Sequence, residues 1–330
     1  MVKKIKKKKS ARFKGDYADY DNPLGRIQMI FSAPGSTKVN LQSEQTFRLM
    51  HKMIQDKNFQ SQKELDDFLH QEILGCPPEK LRAKLPPDPV EDAHELAFQA
   101  IEARSSKKAL NLARKALELD PNCLDAQRLA AILETDLDSG RIEALIRLIA
   151  RAEEQAGPQY FQENQGHFWG ITETRPYMRL LAELVLLLIK TGRIAEAIQQ
   201  CEKMLRLNPG DNQGMRDLLM GLYLETDHLE GVRKLLRKFP GDISAPMLWG
   251  LVLERFLSGD LNAARYALYR ADDHNPYVLE FIVNNTPIPQ EQPEFYQPGE
   301  VSEAIICLQC LGRVFQKHPE FKDWLKTLNL

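Results

Sequence analysis

"HELAFQAIEARSSKKALNLARKALELDP", residues 94–121, sets Ala97, Ala109, Ala116 and Pro121 at intervals of 12, 7 and 5. "WGLVLERFLSGDLNAARYALYRADDHNP", residues 249–276, repeats those intervals at Val252, Ala264, Ala271 and Pro276. A third copy, "LVLLLIKTGRIAEAIQQCEKMLRLNP" at residues 184–209, repeats them at Val185, Ala197, Met204 and Pro209. A pattern that returns on this scale identifies a unit unable to bury its apolar face alone, so that neighbouring copies must stack.

The pattern resembles the tetratricopeptide repeat, a pair of antiparallel helices of about 34 residues; the resemblance implies that small residues let the two helices of each copy approach closely, that Gly192 and Gly259 fall in the turn between them, and that the proline ends the second. Weaker copies begin near Leu124, with Ala131 and Gly140, and near Asn212, with Gly231, whose second helix stops at "KFPGD". The resemblance implies an all-α, right-handed superhelical solenoid of about five tetratricopeptide-like helix pairs over residues 90–276, with helical caps. The stretch between Ala131 and Val185 exceeds one repeat by about 20 residues, and the excess is read as an inserted loop over 157–173 carrying Tyr160, Phe161, His167, Phe168 and Trp169. Thr174 and Pro176 then read as the N-cap and first turn of the next helix.

Outside the repeats the composition changes. Residues 1–40 combine a lysine run with scattered Asp, Pro and Gly, which gives little material for a core, and read as a largely disordered arm. Residues 41–89 form a helical cap and Pro-rich linker: Leu49, Met50, Met53 and Ile54 recur at helical spacing, and Ser61 with Glu64 forms a capping box before Leu65, Phe68, Leu69 and Ile73. Residues 277–330 read as an extended Pro-rich strap followed by cap helices over about 301–316 and 319–328.

The chain has 330 residues and a formal charge of −2, unevenly distributed. Lys3, Lys4, Lys6, Lys7, Lys8, Lys9, Arg12 and Lys14 give the first fifteen residues +8, and the other 36 bases face 46 acids. A run of this kind supplies phosphate neutralisation without sequence selectivity, so contact with RNA or DNA stands beside a merely solvated tail. Five widely scattered cysteines are no disulfide framework and fit a reducing compartment. With no secretory signal and no apolar run of membrane-spanning length, a cytoplasmic chain without stable membrane insertion is expected.

No Walker loop, Rossmann glycine fingerprint, HExxH or Gly-x-Ser-x-Gly elbow occurs, so no enzyme is expected. Cys307 and Cys310 match C-x-x-C without a second pair, and the seven His form no ligand pattern, so no metal and no cofactor are expected. An acid–base pair of His167 and Glu173 would lack an activating partner.

In tetratricopeptide arrays the first helices line a concave groove. Carried over by position, the resemblance puts Arg128, Arg179, Glu183, Arg216, Asp217, Tyr223 and Trp249 there as a partner-binding groove for a protein or peptide, with an arginine in each of three successive repeats. Arg suits bidentate carboxylate recognition; ion pairing with Glu183 and Asp217 inside the chain is the other reading. The places where relatives grip chaperone tails with Lys and Asn hold His94, Phe98 and Leu129 here, so that ligand is not expected. The function implied is a non-enzymatic adaptor or scaffold; the alternative is a nucleic-acid or ribosome-associated protein using the lysine arm.

"ENQGHFWGITETRPYMR" (163–179), "EKMLRLNPGDNQGMRDLL" (202–219) and "NPYVLEFIVNNTPIPQEQPEFYQPGEVSEAI" (275–305), followed by Trp324, also resemble a bacterial group of tetratricopeptide proteins labelled as similar to the suppressor-of-tumorigenicity-seven family. Phe295-Tyr296 stands where that group has Tyr-Tyr. The resemblance implies architecture and carries no biochemical activity.

Overall fold

The computed structural model describes residues 37–55, 57–287 and 297–328. Among the described residues the chain is all-helical, with sixteen α-helices and no strand. The N-terminal cap comprises α1 (Thr37–Gln55), α2 (Gln62–Phe68), a π-helical continuation Leu69–Ile73, and α3 (Pro78–Arg82). Ser61 accepts the Glu64 N–H, while the Glu64 carboxylate accepts the Gln60 N–H. Of the four apolar residues expected to be buried by this helix, only Ile73 is fully so. The π turn follows directly on Phe68 and alters the helical phase that a uniform α-pattern assumes.

Helices then pack in neighbouring pairs: α4 (Pro89–Ile101) with α5 (Ser106–Leu119), α6 (Leu124–Leu133) with α7 (Asp138–Glu163), α8 (Arg175–Lys190) with α9 (Ile194–Leu207), α10 (Met215–Glu225) with α11 (Leu229–Lys238), and α12 (Ala245–Leu257) with α13 (Leu261–His274). The residues at the repeated intervals are the reason. Ala97, Ala109, Ala116, Val185, Ala197, Met204, Val252, Ala264 and Ala271 are each at most 1% exposed, so the small side chains lie where packed helices must approach most closely. Asp88, Ser105 and Asp260 cap α4, α5 and α13. Gly192 and Gly259 lie at φ 75° and 80° in the turns between paired helices, a conformation open to residues without a Cβ. First helices also meet across pairs, α4 with α6, α6 with α8 and α10 with α12.

Three expectations are corrected. The segment 157–173 is not all loop: α7 kinks at Gly157 (φ 77°, ψ 157°) and resumes as helix to Glu163. Glycine permits the break, and Pro158 restarts the helix where its missing N–H is no loss. Thr174 makes no side-chain cap; its hydroxyl donates back to the Phe168 and Ile171 carbonyls. Residues 276–284 are not strap but helix, α14 (Pro276–Asn284), begun by Pro276 and closed by Asn285 at φ 52°. Most of the proline-rich segment beyond it, 288–296, lies outside the described residues, as do the lysine arm and the rest of residues 1–36.

The last helices are α15 (Val301–Lys317) and α16 (Pro319–Thr327); both pack on α14, and α15 also packs across α10 and α12. Gly221 allows the crossing, because a Cβ there would stand 2.1 Å from the Cys310 carbonyl oxygen.

Candidate functional site

The residues expected to line a groove gather in two clusters on the first helices. The N-terminal cluster is a buried charge network. Arg179 on α8 donates Nε to Asp125 Oδ1 at 2.9 Å and Nη2 to Asp125 Oδ2 at 2.6 Å, and it grips Glu44 of α1 through Nη1 at 2.8 Å and Nη2 at 2.9 Å. Its guanidinium is thereby bidentate to two carboxylates, the strongest geometry available to this pair of groups. Arg175 lies 3.6 Å from the same Glu44. Arg128 on α6 donates to Glu183 at 3.3 Å and stands 3.6 Å from Asp125. Arg48 of α1 pairs with Glu91 of α4 at 2.8 Å, and Lys52 reaches both Asp88 and Glu91.

The network sits almost wholly out of water, with Asp125 at 0% and Arg128 at 1% exposure. Burial by itself opposes charge on Asp125, yet Arg179 and then Arg128 outweigh it and hold the carboxyl down to about 2. Glu183 behaves oppositely: burial dominates, Arg128 offsets only part of it, and the carboxyl is pushed up to about 7. Burial, then the Arg48 charge, also lowers His94, whose Nδ1 has no hydrogen-bond partner among the described residues. Of the two readings of the arginines, pairing inside the chain is what these residues do: Arg128 takes Glu183, one of the two partners expected, while Arg179 takes Glu44 and Asp125 instead.

The C-terminal cluster lies under α15. Trp249 on α12 is completely buried, edge-on to Phe315 at 6.4 Å, and its indole N–H has no partner among the described residues. Arg216 pairs with Asp211 at 3.1 Å and with Asp242, not with Asp217. Asp211 also accepts the Met215 and Arg216 N–H groups at the start of α10. Asp217 Oδ1 has no hydrogen bond among the described residues, and burial, against the opposing pull of Arg216, pushes the carboxyl up to about 7. Tyr223 is engaged elsewhere, donating to Glu202 of α9 in the preceding pair at 2.7 Å and meeting His228 edge-on. Glu303 fastens α15: its carboxylate accepts the Ala245, Gly299 and Asn275 N–H groups at 3.0, 2.7 and 3.0 Å and faces His274 Nε2 at 3.0 Å.

The aromatic insertion has a separate outcome. Phe168 packs among Tyr160, Phe161 and Tyr177, and its N–H donates to the Leu207 carbonyl, tying the insertion to α9. A cleft of about 300 Å3 opens beside these rings, with Arg151 and Glu173 on its wall. His167 and Glu173 are exposed. Burial drives the Cys307 thiol up and, at Cys310, likewise, away from thiolate chemistry. Among the described residues no group of His, Cys, Asp and Glu could hold a metal ion, and no helix is long and apolar enough to cross a membrane.

Sequence reasoning missed Glu44, Arg48, Glu91, Asp125 and Arg175. Glu44, Arg48 and Lys52 follow Leu41 along one stripe of α1, spaced by three, four and four; such charged stripes are ordinarily solvated. No protein-family model matches the chain, and no curated protein matches it either.

Proposed function

We propose that this chain is a non-enzymatic adaptor or scaffold of the tetratricopeptide type, whose helix pairs wind into a right-handed solenoid and whose first helices receive a protein or peptide partner. The observation that carries this reading is the two-carboxylate grip of Arg179: a first-helix arginine already holds a glutamate presented by another helix. Groove recognition by a scaffold of this kind uses the same chemistry. Co-purification with the full-length chain identifies the partner. Its affinity for Arg179→Lys and Arg216→Ala chains, verified as folded by circular dichroism, should fall roughly ten-fold or more. Unchanged affinity in both would remove the first-helix face from partner binding.

The separation of +8 in the first fifteen residues from an acidic remainder favours a second reading, nucleic-acid or ribosome association through Lys3 to Lys14. Binding should then fall steeply with salt and disappear on deleting residues 1–14. Indifference to both would dismiss it.

A further inference from the structure

Two helices outside the pairs lie against the first helices, and they are held by different forces. The C-terminal one, α15, is held by apolar burial: Ala304, Cys307, Leu308, Leu311 and Val314 belong to the main core, and Glu303 is anchored by three N–H donors. The N-terminal one, α1, meets the N-terminal ends of α4 and α8 through Glu44, Arg48 and Lys52. Among its residues whose side chains are described, 41–55, Leu41 is the one in the main core. Leu49 turns instead into a separate small core with Ile73 of the π turn and Leu81 of α3, flanked by Met50, Met53 and Phe68.

The cap formed by α1, α2 and α3 therefore has its own apolar centre, and charge predominates where it meets the repeats. Pro86, Pro87 and Asp88 join it to α4 with no regular structure, bridged by Arg82 to the Pro86 carbonyl at 2.8 Å and to Asp92 at 2.7 Å. Buried ion pairs return little net stability because desolvation cancels most of their attraction, while they specify a partner closely. An apolar seat resists exchange, whereas this one can trade one charged helix for another of the same pattern.

We propose that the N-terminal ends of α4 and α8, the latter steadied by Asp125 of α6 on Arg179, form a binding seat for a helix of an external protein partner, with α1 as the resident occupant. The partner helix carries a carboxylate at the Glu44 place, received by Arg175 and Arg179, and a base one turn later at the Arg48 place, received by Glu91. A partner with this pattern displaces α1, and the cap swings about residues 86–88. This rests on reading the first-helix face as the adaptor's binding surface, and it names both the partner chemistry and the regulation of that surface.

The test uses a fluorescent peptide of residues 37–55 and the full-length chain. Wild type should bind it weakly, because the seat is filled. A Glu44→Lys/Arg48→Glu chain, whose own α1 is repelled from Arg179 and Glu91, should bind about ten-fold more tightly or better, and a peptide carrying Glu44→Gln should lose that gain. Hydrogen exchange of residues 37–55 must rise in this chain while residues 89–274 keep their protection; if the double variant does not fold, Glu44→Gln serves in its place. A released α1 with no peptide binding overturns the proposal. So does self-association of the wild type that the peptide dissolves, which would seat a second copy's α1. Since no outside partner is used, absence of any captured partner counts against the adaptor reading, while absence of peptide competition counts against the exchangeable seat.

Discussion

Asp125 and Glu183 face the same Arg128 from neighbouring helices, yet their carboxyls move in opposite directions from their ordinary values. The difference is Arg179, which gives Asp125 two further hydrogen bonds and Glu183 none. Removing that guanidinium would strip Asp125 and Glu44 of their hydrogen bonds in a buried site, leaving only the longer 3.6 Å approaches of Arg128 and Arg175. Arg179→Ala should therefore cost about 3–5 kcal/mol in urea unfolding. Stability also acquires a definite pH profile. Asp125, depressed to about 2, contributes stability that is complete above its unfolded value of about 3.9 and is lost as pH falls through its folded value. Glu183 and Asp217, raised to about 7, act in the opposite sense: from pH 4 towards 7 the unfolded chain sheds protons that the folded chain retains, and stability declines. Taken by themselves, these three carboxyls place the maximum near pH 4 to 5, and the depressed His94 draws it upward. Asp217→Asn should raise the urea midpoint at pH 7.5, leave it nearly unchanged at pH 4, and flatten the slope between; an unaltered slope would mean that Asp217 does not titrate in this range.

At the scale of elements, the closest approach is the crossing of α10 and α15. The Cys310 carbonyl occupies the space that a Cβ on residue 221 would need, and backbone cannot retreat as a flexible side chain can. Gly221→Ala should cost about 1–3 kcal/mol, with hydrogen exchange rising first in residues 301–317. Uniform loosening along the chain would place the strain elsewhere. The kink of α7 shows how far local sequence can be read. Gly157-Pro158 marks a break, since glycine admits φ 77° and proline tolerates a first helical turn. What the dipeptide does not state is that the chain resumes helix as far as Glu163, because Tyr160 and Phe161 are then secured by packing against Phe168 and Tyr177.

Across the whole molecule two cores of unequal size define two levels of stability. The large one runs from α4 to α16, takes in Leu41 of α1 and includes fully buried Trp249; the small one joins Leu49 of α1, the π turn and α3. Trp249→Ala should lower global stability by about 3–5 kcal/mol, read from urea or thermal melts. Leu49→Ala should open residues 37–85 to hydrogen exchange and leave residues 89–274 protected. Simultaneous loss of protection in both regions would join the two cores into one cooperative unit.

The sequence by itself determined the helix pairs. The 12, 7 and 5 spacing is a local demand, since two consecutive helices must approach through small residues and stop at a fixed length, and Ala97, Ala109 and Ala116 state that demand within a single pair. It also marked Arg128, Arg179 and Glu183 as residues of the first helices. The tertiary structure alone decided what those residues meet. Glu44 lies 135 positions from Arg179 and belongs to a stripe of α1 that reads as solvated, because charge on a helix surface carries no sign of whether an opposite charge will arrive from a distant segment. Trp249 and α15 present the same case in apolar form: an amphipathic helix announces that one face must be covered, and only packing assigns it to α10 and α12.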